Sequence, residues 1–328
     1  MSKKKYLVTG GSGFIGAALV ERLVRDGHQV RVLDDLSRGH AKRLQSLARQ
    51  IEFVKGDIRD TGIVDKACRG MDSVCHLAFV NGTEFFYSKP EYVLDVGVKG
   101  MVNVLDACLK NKISELVLAS SSEVYQTPPQ IPTNEHAPLI VPDPWNPRYS
   151  YGAGKIISEV MAIHYGRKFF KRVLIFRPHN VYGPQMGWEH VVPQFVLRMK
   201  RLVAKTKGVI PFPIQGTGRE TRSFVFIEDF ADGLIQMLEK GKHLEIYHMG
   251  TQEEISIQGV ANHVAKYFDR KIRLKPGART EGSTYRRCPD IQKMVALGFR
   301  PKYSFSDGLQ LTAQWYDKNS GLAPKRLV

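Results

Sequence analysis

The sequence predicts an α/β fold, a doubly wound parallel sheet of Rossmann type followed by a smaller α/β C-terminal part. Three observations carry that expectation. Short apolar runs alternate with helix-like segments through the first half of the chain. A glycine-rich turn, "GGSGFIG" (10–16), joins the first run to an amphipathic helix pattern, "AALVERLVRDG" (17–27). An acid, Asp34, ends the second run about 20 residues after the turn, the spacing a dinucleotide-binding unit requires.

The strand-like runs are "YLVTG" (6–10), "QVRVLDD" (29–35), "IEFVKGD" (51–57), "SVCHLAF" (73–79), "ELVLASS" (115–121) and "RVLIFRP" (172–178). Strands separated by helices require crossovers, hence a parallel sheet covered on both faces. The proline-rich stretch "TPPQIPTNEHAPLIVPDPWNP" (127–147) reads as a long loop, because strand and helix signals resume on either side. No internal repeat or low-complexity segment is evident. Residues 1–178 are expected to form the dinucleotide-binding domain, with 225–250 returning to it, and 179–328 mainly a second, ligand-binding domain.

A chain of 328 residues with 43% hydrophobic content can bury a sizeable core. Its apolar runs are far shorter than the ~20 residues of a membrane span. The lysines at 3–5 lead directly into a strand-like run, so a cytoplasmic protein is expected. Cys68, Cys75, Cys108 and Cys288 lack Cys-x-x-Cys spacing and suit buried thiols in a reducing compartment; no metal site is expected. The net charge of +16 is compatible with nucleic acid, acidic membrane or phosphorylated small molecules. Lys3 to Lys5 have no interleaved aromatic platform and read as a solvated tail. The charge does not choose among these partners.

Gly10, Gly13 and Gly16 allow a tight turn, close approach of backbone to a pyrophosphate and packing of helix on strand; Phe14 and Ile15 lie within the same turn. Asp34 can accept the ribose hydroxyls of an adenosine and would repel the extra phosphate of NADP. NAD is therefore the expected cofactor, although Arg38 lies near enough in sequence to argue the other way. Further on, Tyr151 opens a helix pattern, "SYGAGKIISEVMAIHYGRKF" (150–169), and Lys155 follows on the same face. A nearby ammonium and the positive nicotinamide ring both favour a phenolate. The serine cluster at 120–122, at a strand end, can donate a hydrogen bond to the same substrate oxygen.

These residues resemble the extended short-chain dehydrogenase/reductases that modify nucleotide-diphosphate sugars. The resemblance spans nearly the whole chain: "GGSGFIG", "GDIRD" (56–60), "HLA" (76–78), "SSSEVY" (120–125), "YGAGK" (151–155), "RPHNVYGP" (177–184), "GTGRETRSFVFIEDFADGL" (216–234) and "RRCPDI" (286–291). It implies Asp57 and Ile58 as adenine contacts, Leu77 and Ala78 as the wall beside the cofactor, and Ser121, Tyr151 and Lys155 as catalytic hydroxyl, base and lysine. Asn180, Arg222, Arg287 and Asp290 would hold the diphosphate and nucleoside on the C-terminal part, guanidinium forks being matched to phosphate oxygens. It further implies a nucleotide-diphosphate sugar as partner, with neither nucleic acid nor membrane, and a homodimer through helices at 99–109 and 156–165, whose apolar residues would otherwise pack on the sheet. Two positions depart from the family pattern: Gly97 stands where an Asn is usual, and Gln126 where a glycine often follows "V-Y".

Glu123 falls where the 4,6-dehydratases of this family carry an extra acid or base, and "S-S-E-V-Y" is closest to dehydratases and uronic-acid decarboxylases. The resemblance thus leans to oxidation at carbon 4 followed by elimination with Glu123 as base. A 4-epimerase, then a decarboxylase, then a simple NADP-linked reductase or a non-enzymatic dinucleotide sensor are the alternatives; a purely structural Glu123 bonding loop backbone also stays open.

Overall fold

The computed structural model describes residues 3–278 and 284–325. In chain order its strands are β1 (Lys5–Thr9), β2 (Gln29–Asp34), β3 (Ile51–Lys55), β4 (Ser73–His76), β5 (Glu115–Ala119), β6 (Arg172–Pro178), β7 (Val181–Tyr182), β8 (Ile210–Pro213), β9 (Thr221–Ser223), β10 (Val225–Phe226), β11 (Glu245–Met249), β12 (Glu254–Ser256), β13 (Ile272–Lys275) and β14 (Arg286–Arg287). The helices are α1 (Phe14–Arg25), α2 (Thr61–Cys68), α3 (Thr83–Ser88), α4 (Pro90–Leu94), α5 (Gly100–Lys110), α6 (Ser150–Phe169), α7 (Val191–Val203), α8 (Ile227–Lys240), α9 (Ile257–Tyr267), α10 (Gln292–Ala296) and α11 (Phe305–Lys318). A single π-helical turn, Asp95–Lys99, joins α4 to α5.

Seven strands form one parallel sheet in the order β11-β6-β5-β4-β1-β2-β3. All six strands expected from the apolar runs are present, and β11 adds to the free edge of β6. In the middle of the sheet helices cover both faces and β5 is buried at every position, whereas β3 at the edge has no buried position. One core cluster, with Val8, Val20, Phe176 and Leu234, lies on one face and a second, with Leu7, Leu105, Leu116 and Ile175, on the other. A third, with Tyr182, Phe212, Val260 and Tyr316, fills the C-terminal part, and Phe14 and Ile15 of α1 pack against it. Because β1 lies between β2 and β4, the chain reverses direction across the sheet there. That reversal opens a crevice beyond the carboxyl ends of β1 and β4, the place where such sheets bind ligands.

Of the N-terminal lysines, Lys4 and Lys5 are not a solvated tail, while Lys3 is exposed ahead of the first strand. Lys5 opens β1, and Lys4 Nζ reaches Glu115 at the start of β5, 3.2 Å, a carboxylate also held by Arg172 at 3.0 Å. All four cysteines are free and buried. Among the described residues no helix is long and apolar enough to cross a membrane and no group of side chains could hold a metal ion.

Deep between β6 and α6, Arg177 and Glu159 form an ion pair at 2.6 Å, each about 1% exposed. Ser120 donates to the same carboxylate, and Arg177 also donates to Tyr125 Oη and to Glu135 O. Removing one partner strands the other charge in a medium that cannot solvate it. Glu159→Gln is expected to destabilise the fold by about 3–5 kcal/mol, read from the midpoint of urea unfolding at unchanged slope.

Candidate active site

The glycine turn is as bare as the sequence suggests. Gly10 sits at φ +71°, and a Cβ there would lie 2.7 Å from Ala78 N; one on Gly16 would lie 2.2 Å from Gly10 O. Leu77 and Ala78 leave β4 against β1, Leu77 N donating to Thr9 O at 3.1 Å and Ala78 N to Thr9 Oγ1 at 3.3 Å. Gly13 provides α1 with no side-chain cap, so the first N–H groups of the helix face the crevice without a side-chain acceptor. Asp34 is buried at the end of β2, accepting from Ser12 N at 2.9 Å and Leu36 N at 2.8 Å. Burial raises its carboxyl pKa, against the pull of those two N–H groups. This donor-lined, side-chain-free cradle ending in a carboxylate fits the pyrophosphate and ribose of a dinucleotide.

Two expected adenine contacts have other engagements. Asp57 is chelated by Arg59, 2.6 Å, whose second arm holds Asp95 at 2.7 Å, and this pairing depresses its pKa. Ile58 is buried against Gly100 of α5, and its carbonyl accepts from Asn103 Nδ2 at 3.0 Å. Arg38 lies over the Phe85 ring at 4.8 Å, and Arg43 donates to Ser12 O at 2.9 Å.

Ser121, Tyr151 and Lys155 come together where β5 ends and α6 begins. Ser121 Oγ accepts from Glu123 N at 3.1 Å, opening a short 3-10 turn over Ser122–Tyr125, and is hydrogen-bonded to Tyr151. Burial pushes the Tyr151 phenol above its ordinary pKa, opposed by Ser121. Lys155 Nζ donates to Ala119 O at 2.6 Å, and burial lowers its pKa to about 7, opposed by Glu159. Two rings not singled out from the sequence enclose Tyr151: Phe79 meets it edge-on at 5.1 Å and Phe86 stacks on it at 5.0 Å.

Glu123 is half-buried and is not a free carboxylate. Arg287 Nη1 donates to it at 2.7 Å, and Arg148, also missed in the sequence, lies at 4.0 Å. Burial would raise its pKa, but Arg287, Arg148 and Arg222 together outweigh burial and hold it below the ordinary carboxylate range. Arg287 Nη2 donates to Thr284 Oγ1 at 3.0 Å, while its Nε is buried without a hydrogen-bond partner among the described residues. Arg222 donates to the carbonyls of Thr221 and Tyr285 at 2.7 and 3.1 Å and to that of Thr284. Asn180 Nδ2 donates to Ser223 O at 2.8 Å. The carboxylate of Asp290 accepts from Gln292 N at 2.9 Å at the start of α10, so its hydrogen bonding runs away from this cluster.

Gln126, one of the two departures noted in the sequence, has φ +50°, in the left-handed region that favours glycine. Its Nε2 donates to Glu123 O, and its own carbonyl accepts from Thr284 Oγ1 at 2.9 Å.

The family model described as "NAD dependent epimerase/dehydratase family" matches residues 6–250. A putative UDP-glucose 4-epimerase of Methanocaldococcus jannaschii is 31% identical, over 96% of this chain and 99% of its own length. A UDP-N-acetyl-alpha-D-glucosaminuronate decarboxylase of Bacillus cytotoxicus is 30% identical over 96% and 98%. The crystal structure of a dTDP-glucose 4,6-dehydratase from Streptomyces venezuelae, solved with NAD bound, superimposes with a TM-score of 0.85 at 29% identity, covering 99% of this chain and 100% of that one.

The cradle and the buried lysine each generate an expected outcome. Asp34→Ala should narrow the preference for NAD over NADP, measured by titrating both cofactors. Since the folded chain holds Lys155 near 7 and the unfolded chain near its ordinary value, the unfolded state binds more protons between these pH values, and this group's penalty is full below pH 7 and relieved as pH rises. Lys155→Met should therefore raise Tm, most at pH 6 and progressively less towards pH 10, in a calorimetric pH series.

Proposed function

Since the chain belongs to the NAD-dependent epimerase/dehydratase family, we propose that it oxidises carbon 4 of a nucleotide-diphosphate sugar and then acts on the ketone by elimination across carbons 5 and 6, as a 4,6-dehydratase does. The observation that carries the second step is the Glu123–Arg287 pair, set two residues beyond Ser121, whose hydroxyl is bonded to Tyr151. Simple hydride transfer at carbon 4 has no need of a carboxylate there.

Tyr151 takes the proton of the carbon 4 hydroxyl, with Ser121 donating to the same oxygen. Burial keeps the phenol protonated and Ser121 opposes it; the positive charge of a bound nicotinamide ring and of Lys155 would act in the same direction as Ser121. Bound NAD would supply hydride acceptance at carbon 4 and its return to carbon 6, once the hydroxyl there has left with a proton as water. The cradle of Gly10, Gly13, Phe14, Ile15 and Gly16, with Asp34, Leu77 and Ala78, holds that cofactor, and the backbone around Asp57 and Ile58 borders its adenine. The new ketone acidifies the carbon 5 hydrogen. While Arg287 holds it, Glu123 is a weak base; once a substrate oxygen draws the guanidinium away, burial acts with less opposition and the carboxyl pKa rises towards the range of a general base. Arg287 and Asn180 border the diphosphate; for Arg222 to join them, its fork must exchange backbone carbonyls for phosphate oxygens.

The unpartnered Nε of Arg287 supports a second reading. A buried donor calls for an acceptor, and the carboxylate of a uronic acid would provide one, with the 4-keto group labilising it towards decarboxylation. The named decarboxylase relative supports the same reading.

Val102 on α5 and Ile157 and Val160 on α6 are exposed apolar residues, 36–48% accessible, on the two helices expected to form a dimer interface. We expect a homodimer by light scattering at micromolar concentration, dissociated by Val160→Asp; a monomeric unaltered chain would refute it.

For the chemistry, Glu123→Gln is expected to cut turnover by about 10²–10⁴-fold while leaving oxidation at carbon 4 intact, seen as reduced-cofactor absorbance in stopped flow. Products formed in heavy water discriminate the readings. Deuterium at carbon 5 with retained carbon 6 supports elimination, and deuterium with release of carbon dioxide from a uronic acid supports decarboxylation. Inversion at carbon 4 with no deuterium makes the chain a 4-epimerase.

A further inference from the structure

Space beside Lys155 has been exchanged between two positions far apart in sequence. Gly97 lies in the π-helical turn, and a Cβ on it would stand 2.1 Å from Phe79 Cζ; a Cβ on Gly154 would stand 3.0 Å from the same atom. The Phe79 ring therefore occupies a slot between the π-turn and α6 that a side chain at 97 would close. From that slot its face meets the Lys155 ammonium, with Nζ 4.0 Å from the ring centroid, while its edge contact with Tyr151 is 5.1 Å between centroids at 82°.

An ammonium has three donors, and Lys155 Nζ directs one of them to Ala119 O. A ring face supplies a second attraction for the cation in a site that holds little water. We propose that Phe79 is a positioning residue whose ring face holds the Lys155 ammonium against Ala119 O and so fixes the lysine beside Tyr151. The inference rests on the reading of Tyr151 and Lys155 as the proton-transfer pair.

The groups facing Lys155 are few. Glu159 on its own helix favours the charged form. His76 on β4 is depressed to about 3, by burial first and by Lys155 second, and is neutral. Tyr151 is held as the phenol. Asp95 of the π-turn is bound by Arg59 and Lys99. The Tyr151 ring also faces Nζ, at 5.8 Å, but the Phe79 face at 4.0 Å is the nearer one, and its electron density can be changed without altering a titratable group.

The test replaces Phe79 with mono-, di- and trifluorophenylalanine in the full NAD-loaded chain. These rings keep the shape and progressively weaken the negative face. The pKa of Lys155 is read from its labelled ε-carbon by NMR, assigned by loss of the signal in Lys155→Met. A stepwise fall, totalling about one unit across the series, is expected, since one unit corresponds to 1.36 kcal/mol and desolvated ring–cation pairs are worth about that much. The alkaline limb of kcat should move down in parallel. An Lys155 pKa that does not change with fluorination overturns the proposal and leaves Phe79 a packing residue. The titration needs no turnover, so it is separable from the catalytic reading, which fails instead if Tyr151→Phe keeps full activity.

Discussion

The Arg177–Glu159 pair is the contact on which the placement of the site depends. Glu159 lies one turn beyond Lys155 on α6 and accepts from Arg177 on β6 and Ser120 at the end of β5. Lys155 reaches the carbonyl of Ala119, the residue before Ser120. Two successive turns of α6 are thus pinned to two successive residues of β5. A slide of the helix by one residue would break both bonds together. Burying this pair has a large desolvation cost and earns little net stability over an apolar substitute. What it specifies is register, and Tyr151 is carried to Ser121 by that register.

Electrostatics then divide the site into two halves with opposite balances. Around Tyr151 and Lys155 burial dominates, so the phenol is kept protonated and the ammonium is brought close to neutrality. Around Glu123 the cations dominate, and the carboxylate stays ionised despite burial. In the first half an added positive charge, such as a nicotinamide ring, favours the phenolate. In the second, drawing a guanidinium away favours proton uptake by the carboxylate. Both shifts follow from ligand entry, with no rearrangement of the fold required.

Much of this was legible in the sequence where the signal is local. The six apolar runs became sheet strands, the central ones because a sheet covered on both faces demands burial there, and the turn at Gly10 to Gly16 had the strand before it and helix after it that give the motif meaning. Tyr151 and Lys155 were legible because helical spacing puts them on one face. What was not legible depends on distant segments meeting. Glu123 and Arg287 are separated by 164 positions, and nothing near Glu123 in the chain announces that its charge is neutralised. The same holds for Lys4 with Glu115, separated by 111, and for the Arg222 fork, which looks like a phosphate clamp in the sequence and ties strand ends together in the fold.

The two departures from the family pattern flank these two halves. Gly97 admits the Phe79 ring beside Lys155. On the other side Gln126 accepts a backbone conformation that disfavours any side chain, at a cost of about 1–3 kcal/mol that its neighbours must offset. Its amide donates to Glu123 O, its carbonyl accepts from Thr284, and Thr284 in turn accepts from Arg287. Strain at position 126 is thereby tied to the loop that carries Glu123 and to the guanidinium that opposes it. The two departures thus pack beside the lysine, through Phe79, and against the acid on which the proposed mechanism depends. In the proposed mechanism Ser121, Tyr151 and Lys155 supply only oxidation and reduction at one carbon, so the step that follows is set by this surrounding layer.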